Sequence, residues 1–245
     1  MSINKLGPAL DIEHVRKMRN RVYRVGIELE GGWKTLPKGT HLARDGSVRV
    51  SETSDSGPLQ VGELQSPPMP VEGLSAWMKT YYPDCVDETC GMHVHLSFKS
   101  ALTYQQLMIP SYPATIVAYI TKWAKENKLP ETHAIWPRLR GDNIFCQHVF
   151  YADQQVQHKE KVYDSSRPGH RYSVINYCHT RHSTLECRLL PMMDTMEQAI
   201  SAIKETINIT NAFLVASAAK EEKVKAVYVI DDEKLVEEEE KRNYV

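Results

Sequence analysis

A chain of 245 residues with 42% hydrophobic residues carries enough apolar material for one full-sized domain core. A formal net charge of −1 provides no basic field for nucleic acid or an anionic membrane surface, and no apolar run approaches the roughly 20 residues of a membrane span. The five cysteines (Cys85, Cys90, Cys146, Cys178, Cys187) are odd in number and form no Cys-x-x-Cys pair. That argues against a disulfide framework or a structural zinc knuckle and for a reducing compartment. Charges run through residues 1–20 where a signal peptide would be apolar, so the expected location is the cytoplasm.

In chain order, residues 9–20 predict a short charged helix resting on Leu10, Val15 and Met18. Tyr23 to Glu30 alternates, with Val25, Ile27 and Leu29 on one face and Glu28 and Glu30 on the other, and predicts a strand stopping at Gly31-Gly32. That glycine pair permits a tight turn or a close backbone approach to a ligand. Residues 31–58 are loop-rich, with a turn at Arg44-Asp45-Gly46-Ser47 leading into a short strand, Val48 to Val50. Asp45 is a candidate contact for a substrate amine, although shaping the turn is the commoner use of such a residue. Leu59 to Leu64 predicts a strand carrying Glu63, and residues 71–81 a helix built on Leu74, Trp77 and Met78.

Cys90 to Phe98 predicts a strand with Met92, Val94, Leu96 and Phe98 toward the core and His93, His95 and Ser97 facing away. The two imidazoles would sit about 7 Å apart, twice the rise per strand residue, and can address adjacent points of one site. A helical stretch beginning at Thr103 is interrupted by Pro110 and Pro113. It resumes over 114–127 with Ile116, Val117, Ile120 and Trp123 as a core stripe. Residues 130–171 are irregular and include Arg138, Arg140, Asn143, His148 and Arg167. Tyr172 to Cys178 and Ser183 to Leu190 predict a hairpin turning at residues 179–182, with Glu186 and Arg188 on the face opposite Cys187. Asn176 on the facing strand either reaches the site or pairs across the hairpin. Thr195 to Lys220 is the clearest helix, its apolar face formed by Ile200, Ile203, Ile207, Ile209, Ala212, Leu214 and Val215. A last strand over 226–230 and an acidic terminal segment, 231–245, follow. Strands mixed with helices out of strict alternation, and no repeat or linker, predict a single α+β domain with a mainly antiparallel sheet.

Each of several strands pairs an apolar face with ligand-type residues on the other: Glu28 with Glu30, His93 with His95, Glu186 with Arg188, and Glu63 alone. One Glu-x-Glu strand is most often a solvated sheet face. Several on one sheet would converge into an acidic, imidazole-containing surface, and crowded carboxylates repel unless a cation joins them. Carboxylates with few histidines suit magnesium or manganese better than zinc. Arg188 beside them would serve an anion such as phosphate. Arg140, Arg167, Arg171 and Arg181 are weaker candidates for the same task, with Arg181 placed best, on the hairpin turn. No GxxxxGK[ST] or GxGxxG loop is present, so neither a P-loop nor a Rossmann site is expected.

The ordered set Gly26-Ile-Glu-Leu-Glu30, Asp45-Gly46-Ser47, Gly62-Glu-Leu-Gln-Ser-Pro67, Cys90-Gly-Met-His-Val-His95 and Thr184-Leu-Glu-Cys-Arg188 resembles the motifs of the amidoligases. These are carboxylate–amine ligases related to glutamine synthetase and glutamate–cysteine ligase. The resemblance spans roughly residues 21–195, and Arg140 and Asn143 stand where that family often has basic and amide residues. It implies a curved antiparallel sheet forming a funnel-like active site, with helices on the outer face. It also implies an ATP- and magnesium- (or manganese-) dependent reaction in which a carboxylate substrate is phosphorylated and then captured by an amine (an amino acid, peptide or polyamine). By the same resemblance Glu28, His93 and Glu186 would hold the metal bridging the ATP phosphates, and Glu30 and Glu63 the metal nearer the acceptor. His95 would contact a phosphate and Arg188 the phosphoryl group in flight, with Arg181 and Arg140 as further nucleotide contacts. The residues alone leave two other readings open: a metal-dependent hydrolase, and a non-catalytic protein that keeps the fold. A homo-oligomer and a monomer are both open at this point.

Overall fold

The computed structural model describes residues 21–51, 53–54, 57–148, 172–178 and 183–218. The expected helix at 9–20, the strand at 226–230, the acidic terminal segment, Arg167, Arg171 and Arg181 lie outside the described residues. The fold is α+β, built on a five-stranded sheet in which every paired strand is antiparallel. The strands are β1 (Val22–Trp33), β4 (Gln60–Gln65), β5 (Gly91–Phe98), β6 (Ile175–Asn176) and β7 (Leu185–Pro191), in the spatial order β4-β1-β5-β7-β6. A two-residue ribbon, β2 (Thr53–Ser54) with β3 (Gly57–Pro58), stands apart from it.

One face of the sheet is apolar by alternation, interrupted on β7 by a register shift opposite Met92–Val94 that leaves Leu189 and Leu190 both in the core. Val25, Ile27 and Leu29 of β1, Met92, Val94 and Leu96 of β5, and Leu185, Cys187 and Leu189 of β7 are all buried in one continuous core. The same core takes Leu74 and Met78 from helix α1 (Leu74–Tyr81) and Leu107 from α2 (Ala101–Leu107). Tyr112, Ile116, Ile120 and Trp123 enter it from α3 (Ser111–Glu126), and Ile203 and Ile207 from α5 (196–218). Pro113 falls in the first turn of α3, where its missing N–H costs nothing, so it begins the helix instead of breaking it.

Three expectations are corrected. Strand β1 does not stop at Gly31-Gly32: both glycines continue the ladder, opposite Gly62 and Val61 of β4, and Trp33 closes it opposite Gln60. Their smallness serves a close approach by the chain itself, since a Cβ on Gly31 would lie 2.7 Å from Pro83 Cβ and one on Gly62 would lie 2.6 Å from the Ala43 carbonyl. Val48 to Val50 forms no strand, although both valines are buried; the Arg49 N–H is satisfied by Thr89 Oγ1 at 3.0 Å instead of a ladder. On α5, Ala212 and Val215 are exposed, and the buried stripe runs through Thr206 and Thr210. Their hydroxyls bond the carbonyls of Ala202 and Thr206, and Thr210 also meets the Tyr112 hydroxyl at 2.8 Å, so polar residues are carried inside without loss.

The backbone contact at Gly62 predicts a large effect for a small change. Gly62→Ala should destabilise the protein by about 2 kcal/mol, because a carbonyl held in the Ala43–Glu63 backbone bridge cannot move aside as a flexible side chain would. Urea unfolding of the variant against wild type measures this.

Candidate functional site

The other face of the sheet carries the polar pairs. In an antiparallel ladder directly opposed residues project from the same side, and the register puts the candidates opposite one another across all five strands. Glu63 faces Glu30, Glu28 faces His93, His95 faces Glu186, and Glu186 faces Asn176. The expectation that Glu28, Glu30, Glu63, His93, His95, Glu186 and Arg188 share one surface is therefore met, by register for the first six and by its ion pair with Glu186 for Arg188. His93, Glu30 and Glu186 are buried, so this row is an enclosed polar layer and not a solvated sheet face.

His93 lies at the centre. Its Nδ1 is 3.0 Å from Glu28 Oε2 and 3.4 Å from Glu186 Oε1. Its other ring nitrogen, Nε2, is turned toward Glu30 and Gly91, and Glu30 Oε2 accepts the Gly91 N–H. Two sets of donors result, Glu28–His93–Glu186 and Glu30–Glu63–His93. In each set one donor atom from every residue lies within 4.8 Å of the others. Neighbouring oxygens around an octahedral magnesium ion are about 3 Å apart, given ligand distances near 2.1 Å. The Nδ1–carboxylate separations in the first set already have that scale. The donor chemistry, four carboxylates and a single shared imidazole, fits a hard divalent cation.

The carboxylates of the row differ in how far their charge is already balanced. Burial opposes the charge on Glu28, yet its interactions with His93 and His95 outweigh burial and hold its carboxyl well below the usual carboxylate range. Glu63 is shifted upward, first by burial and then by the charge of Glu28, with a hydrogen bond from Gln65 partly offsetting both. Directly opposed like charges such as Glu30 and Glu63 destabilise a sheet unless something neutralises them. His95 Nε2 sits 3.1 Å from Glu28 Oε1 and its Nδ1 3.1 Å from Thr184 Oγ1. Burial disfavours its charged form, but Cys178 and the carboxylates of Glu28 and Glu186 more than compensate and raise it to about 10.

Glu186 is held on three sides, by His93, by the Arg188 guanidinium and by Asn176, whose Nδ2 donates to Oε2 at 2.7 Å. Asn176 thus does both things open to it, reaching the site by pairing across the strands. Arg188 also faces the Tyr172 ring, 5.8 Å from its centroid. Asp45 makes the turn: its Oδ1 accepts from the Ser47 N–H and hydroxyl, each at 2.7 Å.

The structure does not bring Arg140 into the cluster. Its guanidinium is exposed and pairs with Asp142 at 2.9 Å. The arginine that reaches the polar layer is Arg138, on the short helix α4 (Ile135–Arg140), which packs against β7. Arg138 is 3% exposed and its Nη1 donates to the Arg188 carbonyl at 3.0 Å. Its signal in the sequence is position: it shares with Ile135 and Leu139 the buried side of the helix, three and one residues away. Gln65 and Thr184 are further partners to which sequence reasoning gave no role, Gln65 donating to Glu28 at 3.2 Å and to Glu63 at 2.7 Å.

Neither a family model, nor a curated protein sequence, nor a solved structure matches this chain.

Proposed function

We propose that the protein is an ATP- and magnesium-dependent carboxylate–amine ligase that forms an amide bond through an acyl phosphate. The observation that carries this reading is the pair of donor sets sharing His93 on one sheet face, with Arg188 at their edge. Water activation by a hydrolase needs metal ligands but no anion clamp, whereas transfer of a phosphoryl group needs both. Glu28, His93 and Glu186 would hold one divalent cation and Glu30 with Glu63 a second, toward the acceptor. Bound cations would supply charge neutralisation at the phosphate oxygens.

The chain's own residues would position and stabilise. His95, fixed between Thr184 and Glu28, would contact a phosphate, and Arg188 would stabilise the charge on the phosphoryl group as it transfers. The substrate carboxylate attacks the terminal phosphorus of ATP and ADP leaves. The amine then attacks the acyl carbon, releasing inorganic phosphate and a proton. Arg181 remains a candidate nucleotide contact, and residues 31–58 and 130–171 the candidate substrate-selecting segments. The sheet face would form the wall of a funnel, as in glutamine synthetase.

A thermal shift measurement with ATP and Mg2+, apart and together, tests the reading. The pair should stabilise well beyond either alone, by about 2.7 kcal/mol at a hundredfold excess over Kd. Stabilisation by zinc or manganese alone, with none from the nucleotide, would favour the hydrolase and sink the ligase.

A further inference from the structure

The arginine that α4 delivers to the polar layer has a task left over. Arg138 is buried, its Nε has no hydrogen-bond partner, and the ion pairs among the described residues do not include it. Its neighbour Arg188, by contrast, is already engaged by Glu186. Burying a guanidinium without an anionic partner is costly, and the sheet offers it little. Glu30 is the carboxylate whose charge acts on it, yet Glu30 Oε2 is taken by the Gly91 N–H, and on the metal-centre reading a cation claims the rest of that charge.

Arg138 is also drawn up against two members of the second donor set around Gly91. A Cβ on Gly91 would lie 3.3 Å from Arg138 Nη2, 3.0 Å from His93 Nε2 and 3.1 Å from Glu30 Oε2. A side chain there would press on a guanidinium, an imidazole and a carboxylate together, so glycine is what lets Arg138, His93 and Glu30 converge on one point.

We infer that Arg138, above Gly91, is an oxyanion receptor for the substrate, taking a carboxylate or phosphate group beside the Glu30–Glu63–His93 set. The planar fork of a guanidinium suits two oxygens of one such group. A cation on Glu30 and Glu63 would leave Arg138 for the anion and draw the anion toward the metal. The inference rests on the metal-centre part of the proposed function and requires no nucleotide.

Calorimetric titrations of the full-length, magnesium-saturated protein test it, with inorganic phosphate in one series and acetate in the other. Wild type should bind at least one of them. Arg138→Gln should weaken that binding about tenfold or more, and Arg138→Lys by a smaller factor, since an ammonium keeps the charge but loses the fork. Magnesium affinity, titrated separately, should hold in both variants. A response to acetate would place the acceptor carboxylate here, and a response to phosphate alone the phosphoryl group. Absence of anion binding to wild type at tens of millimolar would overturn the inference. So would wild-type anion affinity in Arg138→Lys, or a parallel loss of magnesium and anion binding in it. If Arg138→Gln fails to fold, the lysine variant decides. Neither series contains ATP, so failure of the ligase reading, seen in the thermal shift with nucleotide, is a separate result.

Discussion

Replacing His93 by alanine is expected to weaken magnesium and manganese binding by at least 100-fold and to disable both donor sets in one step. The ring is the one residue common to Glu28–His93–Glu186 and Glu30–Glu63–His93. Losing an outer-shell partner of a metal ligand already costs about 10–100-fold in affinity, and a ligand shared by two sets should cost no less. The same substitution should destabilise the metal-free protein by about 3 kcal/mol. The imidazole is 3% exposed and separates buried Glu186 from Glu28, so its removal opens a cavity and leaves carboxylates facing each other. Calorimetric titration with Mn2+ and a urea melt in chelator measure the two effects. Asn in place of His93 is the control for folding, because it keeps a polar group without spanning both sets. Metal affinity within a few-fold of wild type in His93→Ala would mean that the cluster is not a metal centre.

Arg188→Ala should lower amine-dependent release of phosphate from ATP by about 10³, the scale on which a single transition-state cation or oxyanion donor acts in phosphoryl and acyl transfer. Glu30→Ala should have a comparable effect through loss of a cation ligand. Binding of Mg2+ to the first donor set should survive the arginine change, since Glu28, His93 and Glu186 all remain. Arg188 also neutralises Glu186, so the variant should lose about 3 kcal/mol of stability, the usual cost of stripping a buried carboxylate of its ion partner. A circular dichroism melt separates that loss from the kinetic one. Unchanged phosphate release from a folded Arg188→Ala protein would show that the clamp has been assigned to the wrong residue.

Much of this site was legible in the residues because strand parity is a strong rule. Alternation in Val25–Glu30 and Met92–Phe98 decides which side chains share a face, and it puts Glu28 with Glu30 and His93 with His95, each pair opposite an apolar face, so that the two pairs converge once the strands share a sheet. The register that sets Glu28 against His93 and Glu30 against Glu63 is a pairing between segments far apart in sequence, and local pattern carries no record of it. Arg138 was passed over for a related reason. An arginine is ordinarily a surface residue, and only the position of Ile135 and Leu139 on the same side of a six-residue helix marks this one as buried. Gly31-Gly32 reads as a strand end by composition, but the ladder from β4 and the close passage of Pro83 override it. Thr206 and Thr210 show the converse: a hydroxyl that bonds back to its own helix enters a core as readily as a methyl group.

The most direct test of the account is an anomalous-difference map from crystals grown with Mn2+ and a non-hydrolysable ATP analogue. Manganese is expected among Glu28, His93 and Glu186, with a second ion at Glu30 and Glu63 and the analogue's terminal phosphate between them and Arg188. Manganese absent from this face, or a metal bound there with the nucleotide elsewhere, would contradict it.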